Sequence, residues 1–271
     1  MTAWHEVDVV ALCADVFAIS DPLAKARAAA RIARLAVRRP FVVGATATPG
    51  RPGRPERPAL LSPKAMPKRN PGSARGRTAL LHALAHIELN AIDLALDIII
   101  RFAGEDGPLP RELRPAFCRD WLAVARDEAK HFRMIARRLR QLDAQYGDFP
   151  AHDGLWTAAE KTGQDLLARL AVVPLVHEAR GLDVQPAMIA RFSAIGDDAS
   201  AKVLQIIADD EIGHVRTGYT WFLRLCALQS VEPRSHYRAL VERYHGSLSV
   251  RDVNVDARRR AGLPEDFYLP H

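Results

Sequence analysis

Two pairs of residues with metal-ligand spacing lie far apart in the chain: Glu128-Ala-Lys-His131 and Glu211-Ile-Gly-His214. Residues three apart share one face of a helix, so each pair can point a carboxylate and an imidazole at one ion. Two further glutamates, Glu88 and Glu178, interrupt apolar stripes in the same way. Leu81, Leu84, Ile92, Ala95 and Ile99 recur at three- and four-residue steps around Glu88. Trp121, Val124, Ile135 and Leu139 do so around Glu128, and Leu167, Leu170, Leu175 and Leu182 around Glu178. Leu204, Ile207, Gly218, Trp221 and Leu225 frame Glu211. Four carboxylates buried in one core would cost several kcal/mol each unless compensated. A pair of metal ions compensates them. One glutamate from each of two helices and an ExxH pair from each of two others is the ligand set of carboxylate-bridged di-metal bundles. The six expected ligands are therefore Glu88, Glu128, His131, Glu178, Glu211 and His214. Pro174 makes Glu178 the least fixed, since a helix distortion there changes which way it faces.

A second layer of polar residues accompanies them. Asp127 and Asp210 stand four residues before the two histidines, where a carboxylate can accept a ligand ring's distal N–H and fix its tautomer. Beside the Glu88 seam runs a polar stripe of His82, His86, Asn90, Asp93 and Asp97. It reads either as a hydrogen-bond network leading from the site or as an interface with the N-terminal segment. A separate metal site at His82 and His86 is a minor alternative. Trp121 and Tyr219 lie near the ligands and are read as core packing ahead of electron transfer.

Long helices must position these groups. The periodicity predicts helices over 78–103, 111–145, 156–182 and 198–228, with the third bent or broken at Pro174 and the fourth capped by Asp197 or Asp198. A shorter helix is expected over 186–196, another over 234–245, and a polar tail after it. Ahead of them, one or two helices fill 5–39, with Asp21-Pro22 as a cap and first-turn pair. Residues 40–76 hold eight prolines, which forbids a long helix and leaves an extended segment. Its apolar cluster Ala59-Leu60-Leu61 with Met66 predicts that it docks onto the body. The 40-residue step from Glu88 to Glu128 and the 33-residue step from Glu178 to Glu211 each suit an antiparallel helix pair. The fold expected is all-α, a ferritin-like antiparallel four-helix bundle with a basic, proline-rich N-terminal extension and an extra C-terminal helix. Its divisions are 1–77, 78–230 for the bundle, and 231–271.

Composition agrees. The 271 residues are 48% hydrophobic and 26% charged, which excludes a disordered or fibrous chain. The three cysteines, Cys13, Cys118 and Cys226, form no CxxC pair, so a zinc-ribbon or rubredoxin-like site is excluded. The early acids Glu6, Asp8 and Asp15 oppose the charge order of a signal peptide, and no stretch is long and apolar enough for a membrane span. A cytoplasmic protein is expected. The net charge of +6 is uneven: residues 25–77 carry fourteen Lys or Arg against Glu56 alone, leaving the rest of the chain at −7. That basic arm is expected to lie on the acidic body with its arginines paired to it. The rival is a grip on nucleic acid, against which Phe41 is its lone aromatic for stacking bases.

The segments HALAHIELNAIDLALD (82–97), DEAKHF (127–132), PLVHEARGLDV (174–184) and DDEIGHV (209–215) resemble the ferritin-like di-iron carboxylate superfamily. Within it they look like domain-of-unknown-function family 455, whose leader the GRPERPALLSPKAMPKR stretch (53–69) also resembles. The likeness covers about 50–230 and implies a four-helix bundle with the same six ligands. It implies no substrate. The doubled D-E-x-x-H is similar to the ligand motif of bacterial multicomponent monooxygenases, and the overall order is shared with a tRNA-modifying di-iron hydroxylase family. The expected function is a di-iron (alternatively Mn/Fe) oxidoreductase that activates O2 or peroxide and hydroxylates a small-molecule substrate. Its electrons come from an external donor, since the sequence has no flavin or iron–sulfur motif. The expected assembly is a monomer or homodimer. The alternatives are a tRNA-modifying hydroxylase that uses the basic arm and a non-enzymatic ferroxidase.

Overall fold

The computed structural model describes residues 7–67, 72–246 and 252–269. Lys68, Arg69 and Pro71 of the basic segment, and the start of the first expected helix at 5–6, lie outside the described residues. The chain is mostly helical, as its composition predicts, and divides into two compact units, Met1–Gly154 and Leu155–His271. Among the described residues no helix is long and apolar enough to cross a membrane.

The first unit holds helices α1 (Val9–Phe17), α2 (Pro22–Arg38), α3 (Ala74–Phe102) and α4 (Arg114–Arg140). Asp8 caps α1 by accepting from the amides of Val10 and Ala11, and Asp21 caps α2 through the Ala24 amide with Pro22 in the first turn. Each such cap stabilises its helix by about 1 kcal/mol. Helices α3 and α4 form a hairpin; α1 packs on α3, and α2 packs on α4. Helix α4 is shorter at both ends than the apolar pattern suggests, because Pro115 sets its first turn and Asp143, at φ 53°, turns the chain after its end.

Among the described residues between α2 and α3 the chain forms a two-residue strand and no α-helix. Strand β2 (Phe41–Val42) pairs in parallel with β1 (Val7–Asp8). A single 3-10 turn follows at Pro63–Ala65. The segment is tied down through backbone groups: the Ala47 amide donates to the Ile100 carbonyl at 3.0 Å, and the Gly53 amide to the Phe17 carbonyl at 3.0 Å. Leu60 and Leu61 dock differently from the expectation. Their side chains are exposed, while the Leu61 amide donates to the Ala151 carbonyl at 2.8 Å and the Ala151 amide to the Ala59 carbonyl at 3.0 Å. Backbone pairing, rather than apolar burial, holds this stretch.

The second unit holds α5 (Gly154–Lys161), α6 (Leu166–Val172), a π-helical turn over Val173–Glu178, α7 (Ala179–Ala194), α8 (Asp198–Leu228), α9 (Pro233–Tyr244), α10 (Val255–Arg260) and α11 (Glu265–Tyr268). The helix expected over 156–182, bent or broken at Pro174, is interrupted there and at one further place. The first break, at 162–165, has its own caps: Asp165 accepts from the Ala168 amide, and the buried Arg169 donates to the Ala159 carbonyl at 2.7 Å, satisfying the end of α5. The second is the π turn around Pro174, whose ring and missing N–H disrupt regular bonding. Conversely, no separate helix begins at 186: α7 runs straight through Pro186. Pro186 cannot donate to the Leu182 carbonyl, and Asn254 Nδ2 does so instead at 3.2 Å. That carbonyl's partner comes from a segment read as a polar tail, which the structure folds into α10 and α11. Helix α8 begins and ends where its periodicity places it, with Asp197 as cap.

Candidate metal centre

In the first unit the α3–α4 hairpin sets three expected ligands side by side. Glu88 on α3 and Glu128 and His131 on α4 are all buried, at 4%, 0% and 0% exposure. His131 Nδ1 lies 3.1 Å from Glu88 Oε2 and 3.4 Å from Glu128 Oε2. Ligand atoms from these three residues fall within 4.8 Å of one another, a spacing that one cation can span. Burial, and next the charge of Glu128, push the Glu88 carboxyl well above the ordinary carboxylate range. Two acids this close and this dry repel as anions, and a cation is the partner that relieves both at once.

In the second unit α8 presents Glu211 and His214, both buried, with His214 Nδ1 3.4 Å from Glu211 Oε2. Among the described residues nothing donates a hydrogen bond to Glu211 Oε2, although that atom is shielded from solvent. A buried carboxylate oxygen with no donor is what an open coordination position looks like. Glu178 is placed differently from the other five. It ends the π turn, which packs against α8, and is half-buried. Its neighbour His177 meets His245 ring to ring at 5.1 Å. Burial, then the charge of His245, pulls His177 down to about 4, so that ring is neutral at pH 7.

The π turn depends on a close approach. A Cβ at Gly218 of α8 would run into the Cβ and Cγ of Pro174. Gly218 therefore admits the Pro174 ring and fixes where the turn sits.

The polar stripe of α3 meets the N-terminal segment and the loop after α4. Asp93 is fully buried and takes Lys25 Nζ at 2.6 Å and Arg54 Nη2 at 2.9 Å. Arg54 also donates to Asn90 Oδ1 at 2.6 Å. Asp97 pairs with Arg101 at 2.7 Å, and Arg101 donates to the Pro49 carbonyl at 2.9 Å. Further along the stripe, His82 Nε2 accepts the Gly147 amide at 2.8 Å, and His86 Nδ1 meets the Tyr146 hydroxyl at 2.8 Å. Burial, then the charge of Arg54, pulls His86 down to about 3, so the ring stays neutral. Of the two roles open to this stripe, the structure shows the interface. Asp127 is partly exposed and paired with Arg126 at 3.1 Å, and Asp210 is half-buried. Trp121 is buried beside Phe117, and Tyr219 packs edge-on against Phe267 at 5.3 Å.

Sequence reasoning missed Tyr146, Lys25 and Arg54 as partners of this stripe. It also missed the buried pair of Asp183 and Arg258, in which two bonds of 2.9 and 2.7 Å join α7 to α10. The available signal was an arginine or lysine at a position whose helical neighbours are apolar, as Lys25 is among Ala26, Ala29 and Ala30.

The profile of a protein family of unknown function, DUF455, matches residues 18–269. The chain belongs to the DUF455 family. The match is broader than the 50–230 likeness of the motifs and takes in α2 and the C-terminal helices. Another similar chain is an uncharacterized protein of Haemophilus influenzae (strain Rd), 41% identical over 208 residues, which cover 77% of this chain and 72% of that one. No solved structure matches. DUF455 carries no assigned reaction, so the chemistry rests on the residues.

Proposed function

We propose that this DUF455 protein is a di-metal carboxylate oxidoreductase. The observation that carries the reading is the buried triad of Glu88, Glu128 and His131, with ligand atoms within 4.8 Å. The repeated order of Glu, ExxH, Glu, ExxH in the sequence supports a second set from Glu178, Glu211 and His214 that completes one ferritin-like four-helix site. Iron is the first choice of metal and Mn/Fe the alternative, because imidazole with carboxylate suits both. Bound there, the metals would supply two-electron chemistry on O2 or peroxide for hydroxylating a small molecule, with electrons from an external donor.

The chain's own residues do the rest. Glu88 and Glu128 supply anionic oxygens, and His131 supplies a neutral nitrogen held by its place on α4. Leu81, Ile92, Phe132 and Ile135, all 1% exposed or less, keep water from the donors. A dry setting strengthens every charge interaction within it.

Anaerobic addition of ferrous iron to the purified chain, followed by elemental analysis, tests this. Two ions per chain are expected, together with a rise in thermal stability by linkage. Glu128→Ala and His131→Ala are expected to lower metal affinity at least 10-fold. A full-length folded chain that takes up neither iron nor manganese overturns the reading.

A further inference from the structure

We infer that the outward faces of α2 and α4 form a binding surface for the phosphate backbone of a nucleic-acid duplex. The surface is not assembled by the proline-rich arm. Arg54 of that arm, like Lys25 of α2, is spent on Asp93 inside the unit. Beyond these two, seven exposed arginines are ordered on two helices.

Helix α2 buries Ala26, Ala29, Ala30, Ile32, Ala33 and Ala36. On its opposite side Arg27, Arg31, Arg34 and Arg38 follow at steps of four, three and four, and all are exposed. No acid occurs between Pro22 and Arg39. Helix α4 turns Glu128 and His131 inward, and on its outer side Arg133, Arg137 and Arg140 form a second exposed row at the same spacing. None of these seven guanidinium groups is in an ion pair among the described residues. Of the acids on α4, Asp120 and Asp127 sit roughly a third of a turn from the row on a 3.6-residue helix.

The two helices pack directly on each other within the first unit. Packed axes lie about 8–10 Å apart. One arginine per 3.5 residues places a charge about every 5 Å along each row. That density is comparable with a duplex, which carries a phosphate about every 3.4 Å per strand. Arginine forks bind phosphate bidentately, where lysine acts only as a point charge. The rows carry no aromatic side chain, and Phe41, just past the end of α2, lies beneath Arg119 at 5.0 Å. Bases therefore have nothing to stack on. This favours a duplex read through its backbone, without sequence preference, over a single strand. The helix that carries Glu128 and His131 on one side would hold nucleic acid on the other. The inference stands on surface residues and does not depend on the metal reading.

Fluorescence anisotropy with labelled 24-base-pair RNA and DNA duplexes tests it on the full chain. Binding is expected at 50 mM salt, and at least 100-fold weaker binding at 200 mM. The two duplexes show which nucleic acid is preferred. Arg31→Glu with Arg34→Glu and Arg38→Glu, and separately Arg133→Glu with Arg137→Glu, are each expected to weaken binding at least 10-fold. Lys64→Glu in the arm and Lys202→Glu on α8, both exposed, should leave it unchanged. If a reversal set misfolds by circular dichroism, the single changes Arg34→Gln and Arg137→Gln replace it, with a 2-fold or greater loss expected. The inference is overturned by binding that survives both reversals or fails only in Lys64→Glu. It is equally overturned by tighter binding of a single strand, by the absence of duplex binding at 50 mM salt, or by binding of phosphatidylglycerol vesicles that depends on the arginine rows without duplex binding.

Discussion

Lys25 Nζ lies 2.6 Å from Asp93 Oδ1 with both side chains at 1% exposure or less, so a cation from α2 is neutralised by an anion 68 residues along the chain on α3. Burial is the largest influence on both partners: it lowers Lys25 and raises Asp93 against their mutual attraction. Such a pair specifies where the N-terminal helices dock more than it adds net stability.

Removing one member of this set is correspondingly costly. Asp93→Ala leaves Lys25 and Arg54 facing each other without an anion. Chemical denaturation is expected to show a loss of about 3–5 kcal/mol. Lys25→Met, which leaves Arg54 on Asp93, should cost clearly less; equal losses would contradict the shared-anion arrangement.

The contact between Gly218 and Pro174 gives a second test. Gly218→Ala forces a methyl into the Pro174 ring and is expected to destabilise the second unit by about 1–3 kcal/mol. Adding Pro174→Ala should recover most of that loss, and thermal melts of the double-mutant cycle read the coupling directly. Additive losses would mean that the ring is not what Gly218 makes room for.

Asn254 caps α10 through the Ala257 amide and also serves the Leu182 carbonyl that Pro186 leaves without a helical partner. Asn254→Ala is expected to cost about 1–2 kcal/mol from these two lost bonds. In a Pro186→Ala background the restored N–H can reach Leu182, so the same change should cost about half as much. Urea midpoints of the four proteins settle it.

The thiols of Cys13, Cys118 and Cys226 are all buried. Burial pushes Cys118 to about 12 and Cys226 to about 11, and drives Cys13 well above its ordinary value. Because the thiolate is the reactive form, the native protein at pH 8 should react with a disulfide reagent orders of magnitude more slowly than the unfolded chain. Absorbance of the released thiol, with and without denaturant, measures this. Prompt release of even one equivalent from native protein would contradict the burial.

The sequence by itself determined where the long helices α2, α3 and α8 lie, which of their faces are buried and which polar groups break those faces. Helical period and caps are local properties, so α2, α3 and α8 could be read from Asp21-Pro22, from the stripe around Glu88 and from Asp197. The same reading placed Glu88, Glu128 and His131 on inward faces, where they lie. Tertiary structure alone decided what those faces meet. The period says that Asp93 points inward, and nothing in it says that Lys25 and Arg54 will be there. It shows that Pro186 removes a helical bond, but not that Asn254 replaces it. The break at 162–165 belongs to the same class; the bend at Pro174 was legible, but not its support, because Arg169 and Gly218 take up those roles only once the chain has folded. Local spacing encodes orientation about a helix axis; the partner across the interface comes from distant sequence and is chosen by packing and charge together.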